Sequence, residues 1–247
     1  MINTFSSCIA RAIPTDTSIS GREGKARTPP IFYATSVSLY CAKVRIMLRH
    51  KHIAWQEKQP TGGYGSAQWR QQVPAGNLPA LEHDGLMLMD SEVIAEYLEE
   101  VWPERSMQAE TPGLRALVRQ RSRFHDTRLE PALRGLFGWL STGAVASDAS
   151  STNTVGEKLD MFQQRLDQLG QLLDIEKQQL DKGRLWLGDC GFAASFPWIE
   201  IMEQKAGRIF IWPDQVLAYR HQLETFPAVM DEYDSYKQAI ASWMDTK

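Results

Sequence analysis

The chain has 247 residues, 43% of them hydrophobic and 23% charged, with a formal net charge of −3 at pH 7. That is enough apolar residue for a core and excludes a wholly disordered or low-complexity chain; the acidic balance argues against a nucleic-acid binder, and no apolar run is long enough to span a membrane. Cys8, Cys41 and Cys190 are scattered and odd in number, which suits a reducing compartment and leaves no zinc-ligand spacing, so no metal is expected.

Residues 1–28 are rich in Ser and Thr and lack apolar periodicity. They read as a disordered extension, although an organelle transit peptide or a start codon placed too early also fits. Ile31-Phe32-Tyr33-Ala34 is short, apolar and β-prone, so a buried strand is predicted. From Leu39, apolar residues recur at Tyr40, Val44, Met47 and Leu48 with Lys43, Arg45 and Arg49 between them. That pattern predicts an amphipathic helix. His52 to Lys58 alternates as a second strand. Thr61 to Ser66 is a glycine-rich loop, and Ala67 to Gln72 a short helix or turn. Pro79-Ala80-Leu81 opens a third strand, Asp84-Gly85 is a hairpin turn, and Leu86 to Met89 returns. Ser91 is predicted as the N-cap of a helix whose apolar face is Val93, Ile94, Tyr97, Leu98 and Val101. The order is βαβαββα, over residues 29–102, and implies an α/β unit with a mixed sheet.

Residues 103–112 carry two prolines and read as a linker. Everything from 113 to 247 looks helical. Gly113 to Leu140 forms one long helix that Pro131 should kink or break. Ser141 to Thr154 is a polar loop. Glu157 to Asp181 repeats Leu159, Phe162, Leu166, Leu169, Leu173 and Leu180 at helical spacing. Gly188 to Gly191 turns into a further helix, Asp214 is a candidate N-cap, and Phe226-Pro227 starts the last helix, which ends near Met244.

Three short motifs carry candidate chemistry. Ser38-Leu39-Tyr40-Cys41 lies where the first strand meets the first helix. A hydroxyl at a helix N-terminus can donate to an anion, or it can simply cap the helix. Tyr33 is a rival hydroxyl, and Cys41 reads as a small buried hydrophobe or a redox thiol. Val73-Pro74-Ala75-Gly76-Asn77-Leu78-Pro79-Ala80-Leu81 leads into the third strand. Asp90-Ser91 precedes an amphipathic helix, whose first amides can hold a carboxylate.

Taken together, these motifs make residues 30–245 resemble the cytosolic glutathione transferase superfamily, in its serine-class, theta- or zeta-like form. Ser38 stands six positions before Val44 of Val44-Arg45, as the family's active serine does before its Val-Arg-like pair. The proline-containing segment resembles the family's Asn-Pro-x-Gly-x-Val-Pro-x-Leu, with Val73 for Asn and Leu78 for Val. The resemblance implies a thioredoxin-like domain followed by an all-helical bundle, and glutathione as co-substrate. It implies a cis Leu78–Pro79 bond, with Asn77, Leu78, Pro79, Asp90 and Ser91 holding the tripeptide and Ser38 stabilising its thiolate. A free thiol of pKa about 8.5 is only about 3% ionised at pH 7, so such help matters. A small electrophilic second substrate is placed between the domains, against Phe124, Arg128, Phe137 and Trp139 by helical phase, with Tyr40 also in the pocket. A cytoplasmic homodimer is also implied.

Two features depart from or add to that pattern. Phe192 and Ser195 stand where the family has a Ser/Thr cap and an Asp, which puts that capping device in doubt. His125 and Asp126 are neighbours, but adjacent helical residues point about 100° apart, so they are not expected to act as a pair. A glutathione-binding protein without turnover, and a thiol oxidoreductase using Cys41, are the competing readings.

Overall fold

The structure, a computed structural model, describes residues 27–138, 149–207 and 210–246. The first part is β1 (Ile31–Tyr33), α1 (Leu39–His50), β2 (Gln56–Lys58), α2 (Ala67–Arg70), β3 (Ala80–His83), β4 (Leu86–Met89) and α3 (Ser91–Val101). The sheet order is β2-β1-β3-β4, with β1 and β2 parallel and the other pairs antiparallel. This is the thioredoxin-like βαβαββα arrangement.

Local sequence explains most of it. Asp84 and Gly85 take φ of 48° and 82°, the left-handed pair that an Asp-Gly hairpin turn supplies at little steric cost. β2 is shorter than the alternation from His52 suggests: His52 sits at φ 55°, so residues 52–55 form the exit from α1 instead of strand. Asp90 rather than Ser91 caps α3. Its carboxylate accepts from Glu92 N at 2.8 Å and Val93 N at 3.3 Å, while Ser91 is already helical and buried.

After a 3₁₀ turn at Pro103–Arg105 come α4 (Pro112–Phe124), a π-helical turn (His125–Leu129), α5 (Glu130–Gly135), α6 (Ala149–Glu176), α7 (Cys190–Ala206), α8 (Asp214–Leu223) and α9 (Pro227–Asp245). The helix expected over 113–140 is thus interrupted, and the π turn lies just before Pro131. A π turn holds an extra residue and re-phases the helix beyond it. α6 begins at Ala149 rather than Glu157 and ends at Glu176 rather than Asp181. Asp214 is the first residue of α8, not its cap, which is Pro213. No side chain caps α7. Asp189 instead accepts from Trp186 N at 2.9 Å in the preceding 3₁₀ turn, Leu187–Asp189.

α1 lies at the centre. It packs against α3, α7 and α9. Its polar side is therefore not solvated, contrary to the amphipathic expectation: Lys43 and Arg45 are 2% and 6% exposed. Each is paired. Arg45 meets Glu57 at 2.6 Å and Glu232 of α9 at 3.2 Å. Lys43 meets Glu92 at 2.7 Å and Asp126 at 2.9 Å. The pairs with Asp126 and Glu232 tie the sheet unit to the helical unit. Among the described residues no helix is long and apolar enough to cross a membrane, and no His/Cys/Asp/Glu cluster could hold a metal ion.

Candidate functional site

The sheet register brings three distant motifs to one edge. Tyr33 pairs with Ala80, and Ala80 with Met89. The β1–α1 junction with Ser38, the Leu78–Pro79 segment before β3 and the Asp90-Ser91 step after β4 therefore share the same end of the sheet. The Leu78–Pro79 bond is cis.

Ser38 is the N-cap of α1. Its Oγ accepts from Cys41 N at 3.3 Å. Because Oγ acts there as acceptor, the hydroxyl proton remains available to a ligand. Ser38 is half-buried, in the wall of a cavity of about 1040 Å³ between the two units. Asn77 and Leu78 line the same cavity, and the Asn77 carbonyl is fixed by Trp69 Nε1 at 3.1 Å. Asp90 and Ser91 do not line it; they stand further along the sheet edge. Nothing acidic occupies the first turn of α1, so its dipole favours an anion beside Ser38.

The rival groups are occupied. The Tyr33 hydroxyl donates to Glu82 at 3.0 Å, and burial together with that carboxylate pushes the phenol up. Cys41 is fully buried, and burial raises its thiol despite hydrogen bonds with Ser38 and Thr35. Neither presents a reactive anion to the cavity.

The opposite wall corrects the helical-phase reading. Tyr40 and Phe137 line the cavity, whereas Phe124 and Arg128 do not, and Arg128 is exposed. The π turn moves Asp126, Glu130 and Arg134 inward in their place. Trp139 lies outside the described residues. Phe137 stacks on Trp198 with ring centroids 4.4 Å apart, and Trp243 packs edge-on to Trp198 at 5.4 Å. Sequence phase missed both tryptophans, because they come from α7 and α9. Arg134 pairs with Glu130 and lies over the Tyr40 and Phe137 rings. Burial and the nearby Glu130 and Asp126 carboxylates raise the Tyr40 phenol, so it stays neutral.

His125 and Asp126 are hydrogen-bonded to each other, although adjacent helical residues point apart. His125 Nδ1 lies 2.7 Å from Asp126 Oδ1, and Nε2 lies 2.7 Å from Ser195 Oγ. Burial alone would raise the Asp126 carboxyl, but the His125 hydrogen bond and the Lys43 ammonium hold it down to about 2. With Asp126 ionised, Nδ1 is the nitrogen that donates a proton toward it. Ser195, at the position of the family's Asp, is thus used inside the core rather than as a helix cap.

Residues 32–106 match the family model described as the glutathione S-transferase N-terminal domain. The first unit thus matches a glutathione S-transferase N-terminal domain, and the chain is similar to cytosolic glutathione transferases. It is similar to the glutathione S-transferase-like protein LUC7 of Fusarium sp., 29% identical over 167 residues, which cover 64% of this chain and 71% of that one. It is also similar to a stringent starvation protein A homolog of Pasteurella multocida, 30% identical over 127 residues, covering 51% and 58%. The fold matches a Tau class glutathione S-transferase from mango with a TM-score of 0.74 at 18% identity, over 90% of this chain and 99% of that one.

Proposed function

We propose that this protein binds glutathione at the sheet edge and stabilises its thiolate with Ser38 for attack on a small electrophile in the inter-domain cavity. One observation carries the reading: a half-buried serine hydroxyl at the N-terminus of α1, in the wall of a cavity of about 1040 Å³ that Asn77 and Leu78 also line. The thiolate would sit against the Ser38 hydroxyl and the α1 N-terminus. Leu78 would pair its backbone with the cysteinyl part as an added strand does. Asp90, Ser91 and the first amides of α3 would hold the γ-glutamyl end. Conjugation, dehalogenation, ether cleavage and isomerisation all start from that thiolate, and the aromatic wall suits an apolar partner. A cytoplasmic homodimer belongs to the same reading.

Lowering the thiol pKa by one to two units takes about 1.4–2.7 kcal/mol, which one hydrogen bond and a helix end can supply. The test is calorimetric titration of glutathione into the protein and into Ser38→Ala, with the thiolate followed by its ultraviolet absorbance. Retained binding with loss of the thiolate supports the assignment. A bound thiol that stays near its free pKa in the unaltered protein refutes it.

A second reading is a glutathione-binding regulatory protein without turnover. It is favoured by the likeness to the stringent starvation protein A homolog and by the Asp126 and Glu130 carboxylates in the electrophile's half of the cavity. Tight glutathione binding with no conjugation across an electrophile panel is its signature.

A further inference from the structure

A second cavity of about 470 Å³ opens in the helical unit between α6 and α8. Its volume is within the range of small-molecule sites. Leu173, Leu180 and Trp186 form apolar walls, and Arg121, Glu176 and Tyr219 form a polar floor.

The floor is asymmetric. Glu176 is completely buried. Its Oε2 takes Arg121 Nε at 2.9 Å and Nη2 at 2.7 Å. Its Oε1 has no hydrogen-bond partner among the described residues. Gln120 bears on Glu176 and favours its ionised form, yet makes no hydrogen bond of normal geometry to Oε1. A buried carboxylate oxygen without a donor is costly, so the site favours whatever brings one.

Charge selects the kind of donor. Arg121 is already shared between Glu176 and the buried Asp189, which it meets at 2.5 Å. Tyr219 donates to Asp189 as well, at 2.5 Å. One guanidinium therefore faces two carboxylates and has no fork left for an anion. At the rim, Asp174, Asp181 and Asp214 face Lys177 and Lys182, and Lys177 is engaged with Asp174 at 3.2 Å. Floor and rim each carry surplus negative charge.

We propose that this cavity is a second ligand site, separate from the glutathione cavity, that takes a small primary ammonium compound with an apolar body. The ammonium donates to Glu176 Oε1 and the body lies against Leu173, Leu180 and Trp186. Burial pushes the Glu176 carboxyl up against the opposing pull of Arg121, as fits a carboxylate lacking a second donor.

The experiment is calorimetric titration of the full chain with benzylammonium chloride and with benzyl alcohol at equal ionic strength. The ammonium should bind about tenfold more tightly or better, because its charge-assisted hydrogen bond meets a desolvated carboxylate. Ala218→Trp, at an exposed position on the cavity mouth, should abolish that binding and leave glutathione binding unchanged. Glu176→Gln should erase the preference for the ammonium; if it does not fold, the Ala218→Trp comparison decides alone. Equal affinity for the two probes, no binding at millimolar amine, or binding that survives Ala218→Trp overturns the proposal.

Discussion

Asp126→Asn tests the buried ion network most directly. Asp126 bonds His125 with one oxygen and Lys43 with the other, its side chain 11% exposed. Its carboxyl is held at about 2 against an ordinary 3.8. A folded-state value below the unfolded one stabilises the protein above the unfolded pKa and is lost as pH falls through the folded one. The difference of about 1.8 units corresponds to about 2.4 kcal/mol at pH 7. Integrating the linkage leaves about 1.3 kcal/mol at pH 3. Asn keeps an acceptor for His125 but removes the charge that Lys43 faces. The variant should therefore unfold in urea about 2 kcal/mol more easily at pH 7, and the gap should close by about half at pH 3. A loss below about 0.5 kcal/mol at pH 7, or a gap that does not narrow with acid, refutes the reasoning.

Other outcomes rest on packing and burial. Gly191→Ala would ordinarily strengthen a helix, yet its Cβ would stand 2.4 Å from His125 Nδ1; a loss of about 2 kcal/mol in chemical denaturation is expected. Phe137→Ala removes a ring stacked on Trp198, so KM for an aromatic electrophile should rise about fivefold to tenfold with kcat little changed, as loss of about 1–1.4 kcal/mol of contact implies. Cys41 and Cys190 are buried and burial raises both thiols; peptide mapping after native-state alkylation should find both unmodified, and rapid labelling of Cys41 would revive a redox role.

Much of the first unit is written locally. Strand and helix periods, the Asp84-Gly85 turn and the serine opening α1 each depend on neighbours along the chain, so the βαβαββα order is legible before any packing is known. The Leu78–Pro79 segment was readable only through its likeness to the family, as were the roles expected of Asn77, Asp90 and Ser91. Where the sequence fell short by a residue, as at Asp90 and Asp214, two adjacent residues both suit a helix start and only the backbone angle chooses.

The helical unit's contribution to the site was another matter. An ideal α period aims Phe124 and Arg128 at the cavity, but the π turn at His125–Leu129 shifts the phase and delivers Asp126, Glu130 and Arg134. The same contacts join His125 to Asp126 and to Ser195, a partner 70 positions away. Lys43 and Arg45 look like a solvated face until α7, α9 and the π turn cover them, with Glu57, Glu92, Asp126 and Glu232 as their partners. Periodicity records which residues can be buried along one element. Which elements bury them, and which charges meet there, is fixed by long-range packing that no local pattern encodes.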